Sequence, residues 1–383
     1  VLARVLIALV ALAAALGAAH AESLLVGPGG QPMRLQEALD RARDGDVIGL
    51  LPGTYNGEVA VIPARRLTLR GIGKRPVLVA GGRSAERKAI WVVRGGDVTI
   101  ENIEFRGARV EAANGAGIRH EAGKLTVRRC EFRDNELGIL SSNDPAAELV
   151  IDASVFADAP RVVGGLYHLL YIGRIASASI TGSRFERGFE GHLIKSRARR
   201  TRIAYNLIRD GPEGGASYEI DLANGGLAWI VGNVIEQSPA TQNQVVIAYG
   251  AEGGAWDRDA LYVAHNTFVN DSLLPAWFLR VFRDRLRDET EVYAVNNLTV
   301  GLGVFTFGAS GHFAGNYPVL EGMLVDPPTL AFELAPGSWL RGRGVDPRSV
   351  GGYDLAPRAE FTLPVGTRPL APATSWTPGA FQR

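Results

Sequence analysis

Cysteine is nearly absent from this sequence. Cys130 is the only one in 383 residues, so no disulfide can form within the chain. A protein of this kind that works in an oxidising compartment depends on its hydrophobic core for stability. We expect the Cys130 side chain to be buried.

Motifs for metals and nucleotides are also missing. The sequence contains no His-x-x-x-His pair, no cluster of cysteines and no Walker loop. Such patterns supply the ligands of common zinc sites and the phosphate cradle of many nucleotide-binding proteins. We therefore expect no metal and no cofactor.

Charge of one sign is not in excess. The chain has 41 basic and 40 acidic residues, which gives a net charge of +1. A balance of this kind creates no overall field that attracts nucleic acid or an anionic membrane. We expect no nucleic-acid partner, and any anionic partner must be met by a local basic patch.

The apolar run at the start of the sequence is short for a membrane span. Residues 5–16 are apolar, Arg4 precedes them, and the triplet Ala19-His20-Ala21 follows. This is the layout of a cleavable secretory signal. We predict a signal peptide over residues 1–21 and a secreted or periplasmic protein with no membrane contact after cleavage. An uncleaved N-terminal anchor is the alternative.

A short pattern recurs through the rest of the chain. It consists of an aliphatic or aromatic residue, a small or amide residue three places later, and an apolar residue two places after that. The seven copies are Val127/Cys130/Phe132, Ile151/Ser154/Phe156, Ile180/Ser183/Phe185, Ile203/Asn206/Ile208, Ile230/Asn233/Ile235, Val263/Asn266/Phe268 and Tyr293/Asn296/Leu298. Their spacing drifts from 23 residues (183 to 206) to 33 (233 to 266), which argues against a fixed-length α-solenoid. The Val, Ile, Phe and Thr content favours coils of β-strands.

A second candidate strand precedes each copy. These segments are 117–119, 138–140, 170–172, 192–194, 218–220, 245–247 and 278–281. Stacked coils pair each strand with its equivalent one coil away. The sequence therefore predicts an all-β protein, a right-handed parallel β-helix. The amides Asn206, Asn233, Asn266 and Asn296 are expected to form an internal ladder that satisfies the backbone at a bend.

The two ends of the stack need covers, because a terminal coil presents unpaired strand edges. Apolar positions in residues 33–42 follow a helical spacing, which predicts an N-terminal capping helix. Beyond about residue 318 the pattern fails, and we expect an irregular strap over the last coil. The predicted organisation is a signal peptide at 1–21, cap and first coil at 22–66, β-helix coils at 67–317, and the strap at 318–383.

Two segments resemble the pectin-lyase-like superfamily of right-handed β-helix proteins. Residues 35–55, which lead through a Gly-Asp turn to Gly-Thr-Tyr, are similar to the entry segment of many members. Residues 332–344 are similar to their exit. The resemblance implies the fold and leaves the chemistry open, because the superfamily includes lyases, hydrolases, epimerases and non-catalytic adhesins.

Candidate site residues follow from the strand alignment. If Ile172, Ile194, Ile220 and Ile247 are aligned inside, the residues Gly173, Lys195, Asp221 and Ala248 share one outward column, and Tyr171, Leu193, Glu219 and Val246 share the next. Lys195 then lies one coil, about 4.8 Å, from Asp221. The alternative is that this pair is only a surface ion pair.

The segment from His192 to Arg197 contains the groups that β-elimination of an acidic polysaccharide requires. That reaction needs a base beside the uronate carboxylate, a cation for the carboxylate, and an acid for the leaving oxygen. We assign Lys195 as the base, Arg197 as the carboxylate-binding cation, and His192 or Tyr218 as the acid. Alternatively, His192 and Tyr218 point inward and belong to the core. Substrate contacts are expected from Arg197, Arg199, Glu190, Tyr171, Glu252 and Trp256.

This segment also resembles the alginate lyase and chondroitinase B family. The pattern Glu190-x-x-x-x-Lys195-Ser196 matches a strand of that family, in which the lysine is the base. The resemblance implies the same role for Lys195. One departure is that the family places an arginine acid on the next coil, where residues 218–226 here are acidic.

Two other functions remain open. Glu219 and Asp221 are a candidate carboxylate pair for glycoside hydrolysis. A calcium ion between them is conceivable, but the adjacent Lys195 argues against a cation site. The coils could also present a non-catalytic sugar-binding face, with Glu252 and Trp256 in the wall of the groove. In each case we expect a monomer whose partner is an anionic polysaccharide.

Overall fold

The recurring pattern folds into stacked coils because its aliphatic and aromatic positions can be buried only against the next coil. A computed structural model describes residues 23–382. Each complete coil contributes a strand to each of three parallel sheets, which have twelve, ten and eleven strands because the coils at the two ends are incomplete. The predicted parallel β-helix is therefore confirmed, with a third strand per coil in addition to the two that the sequence indicates.

The strands of the three sheets follow one another around each coil. The first sheet contains Ser23–Val26, Val47–Leu50, Arg65–Gly71, Gly96–Glu101, Lys124–Arg128, Glu148–Asp152, Ser177–Thr181, Arg200–Ala204, Leu227–Val231, Ala260–Ala264, Glu291–Val295 and His312–Ala314. The second sheet contains Ala60–Ile62, Ala89–Val93, Ala116–His120, Leu137–Ser141, Leu170–Ile172, Ile194–Ser196, Ile220–Leu222, Val245–Tyr249, Ala276–Val281 and Gly303–Val304. The third sheet contains Thr54–Asn56, Val77–Val79, Glu104–Arg106, Glu131–Arg133, Val155–Ala157, Arg184–Glu186, Leu207–Arg209, Val234–Gln237, Thr267–Asn270, Leu298–Val300 and Tyr317–Val319.

The core is built from columns of like side chains. Val127, Ile151 and Ile180 pair in register on the first sheet, and all three are fully buried. On the third sheet, Phe132 stacks on Phe156 with ring centroids 4.6 Å apart, and the stack continues to Phe185 at 4.9 Å. Like residues in register bury apolar area on every coil, which is the main stabilising contribution in such a stack.

An amide ladder runs through the bend between the first and third sheets, as predicted, with one correction. Asn206 donates its side-chain N–H to Asn233 Oδ1 at 2.9 Å, and Asn233 donates in the same way to Asn266. The next member is Asn297, which accepts from Asn266 at 3.0 Å. The assignment of Asn296 is wrong because Ala294, and not Tyr293, pairs with Val263, so the last copy is shifted by one residue.

The helix Leu35–Arg41 buries Leu35, Ala38 and Leu39 and packs against the strands Ser23–Val26 and Ala60–Ile62. One strand of the first sheet precedes it, so the helix is inserted after the first strand. Cys130 is fully buried, as expected. The predicted signal peptide at 1–21 lies outside the described residues. Among residues 23–382, no helix has the length and apolar composition that a membrane span requires.

The C-terminal tail lacks the coil repeat and runs along the side of the stack. It contains three antiparallel hairpins and short 3-10 turns. The hairpins are Leu324–Asp326 with Ala331–Leu334, Ser349–Val350 with Tyr353–Asp354, and Ala359–Phe361 with Thr367–Pro369. The backbone N–H of Gly366 donates to the Gly182 carbonyl at 2.7 Å, and that of Arg358 to the Tyr205 hydroxyl at 2.9 Å. The tail therefore reaches coils well before the last one.

Candidate active site on the second sheet

The register of the second sheet places three functional side chains side by side. Tyr171 pairs with Lys195, and Lys195 pairs with Asp221. The predicted adjacency of Lys195 and Asp221 is confirmed. The predicted position of Tyr171 in the next column is wrong, because Ile194 pairs with Leu170 and not with Ile172. Leu170 and Ile172 are both fully buried. Alternation of buried residues therefore allowed either of them to be aligned with Ile194.

Lys195 is held between two carboxylates. Its Nζ lies 3.0 Å from Asp221 Oδ2 and 2.8 Å from Glu252 Oε1, and the residue is 7% exposed. Burial disfavours the charged ammonium, but Asp221 and Glu252 outweigh burial and raise the pKa of Lys195 above its ordinary value. Lys195 is therefore a cation in this arrangement.

Two side chains approach the same oxygen of Asp221. His192 Nε2 lies 3.4 Å from Asp221 Oδ2, the oxygen that also contacts Lys195, while Oδ1 has no hydrogen-bond partner in the described chain. Burial raises the pKa of Asp221, and the attraction of Lys195 offsets this only in part. Asp221 thus links the lysine to the neighbouring imidazole.

Three rings stack beside this column. The ring centroids of His168 and His192 are 4.8 Å apart, and those of His192 and Tyr218 are 4.7 Å apart. The Tyr218 backbone N–H donates to His192 Nδ1 at 3.2 Å, which leaves the imidazole proton on Nε2, facing Asp221. Burial, with repulsion from the other cationic groups nearby, lowers the pKa of His192 well below its ordinary value and that of His168 to about 3. Both imidazoles are therefore neutral.

The inward position expected for His192 and Tyr218 is wrong. Both side chains are partly exposed in the groove, because the chain bends just before each second-sheet strand. Because of this bend, two residues that are three apart in the sequence, such as His192 and Lys195, both lie on the outer face of the second sheet. His168 was not identified from the sequence as a site residue for the same reason. The spacing of His168 and Leu170 repeats that of His192 and Ile194, and this was the signal that could have found it.

The bend also separates the two predicted hydrolytic carboxylates. Glu219 is fully buried, and the nearby charges that act on it are Asp210 and Glu236. Burial, followed by repulsion from Asp210, raises the pKa of Glu219 well above its ordinary value. Glu219 and Asp221 do not share an open face, so this prediction is wrong.

Glu252 bridges the two cations of the site. Its carboxylate accepts from Lys195 Nζ at 2.8 Å and lies 2.6 Å from Arg197 Nη2. Burial acts in the opposite direction, but Lys195 and Arg197 lower the pKa of Glu252. The Arg197 guanidinium also lies 5.4 Å from the Tyr171 ring centroid. These four side chains form one cluster on the outer face.

Trp256 fastens the loop that carries Glu252. Its indole N–H donates to the Arg197 carbonyl at 3.1 Å, and the ring packs against Gly226. The Glu252 backbone N–H donates to the Ala223 carbonyl at 2.8 Å. The loop is thus tied to the neighbouring coil on both sides of the Glu252 side chain.

The remaining predicted residues lie outside the cluster. Arg199 forms an exposed pair with Asp257 at 3.3 Å. Glu190 accepts from the Gly164 backbone N–H. Ser196 is 1% exposed, and its hydroxyl is 2.8 Å from the Thr201 hydroxyl. Of the Glu-x-x-x-x-Lys-Ser motif, only Lys195 belongs to the cluster.

Two clefts lie along the second sheet, one on either side of the cluster. One of about 420 Å³ includes Arg119, His168 and Tyr171, and another of about 550 Å³ includes Trp277 and Arg280. A further cavity of about 560 Å³ lies beneath the C-terminal tail on the third sheet. None of the candidate residues lines that cavity, so the groove on the second sheet is the candidate site.

Comparison with known proteins shows the fold. No protein-family model matches the chain, and no curated protein is similar to it. Among solved structures, a pectate lyase, Pel9A, is 13% identical, with a TM-score of 0.61 over 95% of this chain and 97% of that chain. The predicted pectin-lyase-like fold is thereby confirmed, as a likeness of fold alone.

Two other solved structures are less similar. An alginate lyase from Paenibacillus sp. str. FPU-7 is 14% identical, covering 77% of this chain and 98% of that chain, with a TM-score of 0.44. A PL6-family polysaccharide lyase from Pseudopedobacter saltans is 13% identical, covering 82% and 96%, with a TM-score of 0.46. Neither likeness is strong enough to carry an inference about this chain.

Proposed function

We propose that this β-helix protein is an exported polysaccharide lyase that cleaves a uronic-acid polymer by β-elimination. The bridging position of Glu252 carries the proposal. Lys195 and Arg197 together hold its carboxylate on the outer face of the stack, and clefts lie on the same sheet to either side. A pair of cations that binds one carboxylate is suited to bind the carboxylate of a uronate.

In the proposed reaction, the carboxylate of the substrate displaces Glu252 and binds Arg197. The displacement removes one of the two carboxylates that raise the pKa of Lys195, so the neutral amine is easier to form. Lys195 then takes the proton on the carbon beside the carboxylate. The bond to the leaving oxygen breaks, a carbon–carbon double bond forms, and the leaving oxygen receives a proton.

Tyr218 is the proposed acid. Burial lowers the pKa of His192 well below its ordinary value, so its imidazole is neutral and is a poor acid. The partly exposed Tyr218 ring stacks on His192 at the edge of the groove, where a phenol can donate its proton and recover it from Lys195 through solvent. His192 and Asp221 are proposed to position Lys195 and Tyr218.

The test is the ultraviolet absorbance of unsaturated uronate released from a panel of anionic polysaccharides. We expect the native protein to produce it and Lys195→Ala to lose at least about a hundredfold in rate, the range of a general base. Arg199→Ala, which removes a cation outside the cluster, is the matched control and should change the rate little. No product from any polymer with the native protein would refute the lyase proposal, and an active Lys195→Ala would refute the base.

A glycoside hydrolase is a second candidate, for a reason other than the predicted Glu219 pair. Asp221 and Glu252 both contact Lys195 Nζ, and their pKa values move apart, upward for Asp221 and downward for Glu252. Such a pair can act as acid and base. Hydrolysis would release new reducing ends without ultraviolet absorbance, and Asp221→Asn would abolish their release. This result would exclude elimination.

A further inference from the structure

A group of polar side chains without partners lies on the same outer face as the Lys195 cluster. The register pairs Asp221 with Ala248, and Ala248 with Arg280. Arg280 therefore belongs to the same outward column as Lys195, three coils away. With about 4.8 Å between neighbouring strands, the separation along the sheet is about 14 Å.

Arg280 is held in place by aromatic rings and not by a carboxylate. Its guanidinium carbon lies 4.8 Å from the Trp277 ring centroid and 4.4 Å from that of Phe282. Within residues 23–382 its guanidinium makes no hydrogen bond or ion pair. Stacking fixes the plane of a guanidinium and leaves its N–H edge available for a bidentate bond. Arg197, by contrast, already holds Glu252.

Two more polar atoms in the same cleft lack partners. The cleft of about 550 Å³ is lined by Gln244, Trp277 and Arg280, among others. The Gln244 side-chain oxygen and the Trp277 indole N–H are buried and have no hydrogen-bond partner in the described chain. Buried polar atoms are nearly always partnered, so two such atoms on residues that line one cleft, beside the unpaired Arg280 guanidinium, indicate a ligand.

The chemistry of these groups specifies the ligand. Arg280 and the indole N–H are donors suited to a carboxylate, and the Gln244 oxygen is an acceptor suited to a hydroxyl group. The Trp277 ring offers a flat apolar face of the kind that packs against a sugar. A carboxylated sugar residue combines all of these features, whereas a neutral sugar leaves the guanidinium unpaired.

We propose that the Trp277–Arg280 cleft is a distal subsite for a uronate residue of the same polymer that enters the Lys195 centre. This inference rests on the proposed function, because it assumes an acidic polysaccharide in the groove. The subsite lies too far from Lys195 for one sugar to occupy both positions. It therefore selects for long anionic chains.

The experiment is calorimetric titration at mildly acidic pH, where Lys195 stays protonated and elimination does not proceed. The probes are di- and hexasaccharides of galacturonate and of mannuronate, with a neutral xylohexaose. We expect the native protein to bind a hexauronate more tightly than the diuronate. Arg280→Ala should remove about tenfold of that gain, and Arg280→Lys should restore part of it.

Arg202→Ala is the matched control, because Arg202 also stacks on an aromatic ring, 5.8 Å from the Tyr205 centroid, but on the first sheet. Equal losses in the Arg280 and Arg202 variants, an unchanged hexauronate affinity in Arg280→Ala, or equally tight xylohexaose binding would overturn the subsite. Binding that depends on Arg280 without any unsaturated product would keep the subsite and refute the lyase. If the native protein forms unsaturated product and Arg280→Ala leaves kcat/KM for the hexauronate unchanged, the lyase is kept and the subsite is refuted.

Discussion

At the scale of single residues, the central feature is that the site carries its own anion. Glu252 occupies the position between Lys195 and Arg197 that a substrate carboxylate requires, and it extends from an exposed loop. The free protein therefore presents a neutralised pair of cations. A ligand must compete with Glu252, so this residue controls both affinity and the protonation of Lys195.

Substituting Glu252 by Gln tests this control. Asp221 and Glu252 raise the pKa of Lys195, so the loss of the Glu252 charge should lower that pKa. Because the proposed base works when deprotonated and Glu252 contacts it only in the free protein, the alkaline rise of kcat/KM should move to lower pH. The measurement is the pH profile of the elimination rate.

The control for that profile is Asp257→Asn, on the same loop but paired with the exposed Arg199. It should leave the profile in place. A shift of the Glu252→Gln profile to higher pH, or no shift, would contradict the role given to Glu252.

The sequence predicted part of this site and missed part for a geometric reason. Lys195 and Asp221 sit at matching positions of consecutive copies, so the repeat alone made them neighbours. Strict alternation then failed at the bend before each strand, which turned Glu219 inward and brought His192 outward. Glu252 could be assigned only to a loop, since no repeat fixes where a loop side chain points.

At the scale of elements, the amide ladder holds the bend between the first and third sheets. Asn233 Oδ1 accepts from the backbone N–H of Asn206 at 3.0 Å and from its side chain at 2.9 Å. Asn233 also donates to the Ile203 carbonyl at 2.9 Å. Each member therefore satisfies buried groups of the coil before it, and the ladder fixes how successive coils stack.

Asn233→Ala should be costly for this reason. It leaves at least one buried donor and one buried acceptor unpaired, each worth about 1–3 kcal/mol, so we expect a loss of about 3 kcal/mol in the free energy of unfolding. Urea denaturation measures it. Asn233→Ser is the matched variant, since Ser154 and Ser183 fill the same position in earlier coils. It should lose less, and an equal loss in both variants would argue against the hydrogen bonds as the cause.

At the scale of the whole molecule, the stack was predictable and the tail was not. Each coil buries its face only against its neighbours, so seven sequence copies were enough to imply the fold. The tail has no repeat, and its route back to Gly182 and Tyr205 depends on single hydrogen bonds. One of its anchors is His265, which is fully buried and bonds to the Thr377 carbonyl at 3.1 Å.

Because His265 joins the C-terminal tail to the stack, acid should weaken the contact between them. Its Nδ1 donates to Thr377, so Nε2 must accept from the Asn296 side chain at 3.0 Å, and a proton there would face a donor. Burial lowers the pKa of His265 from 6.5 to about 4. The neutral form therefore stabilises the fold fully above pH 6.5, and this contribution is lost as the pH falls toward about 4. A depression of this size corresponds to about 3 kcal/mol.

Unfolding free energies measured from pH 7 to pH 4 should accordingly fall less steeply for His265→Gln than for the native protein. Gln cannot gain the proton that breaks the contact with Asn296, so its variant starts less stable at neutral pH but loses less on acidification. His312→Gln, at an exposed position of the last first-sheet strand, is the control and should keep the native slope. Parallel slopes for all three proteins would mean that other buried groups, such as His120 and His168, set the acid limit, since burial lowers their pKa values as well.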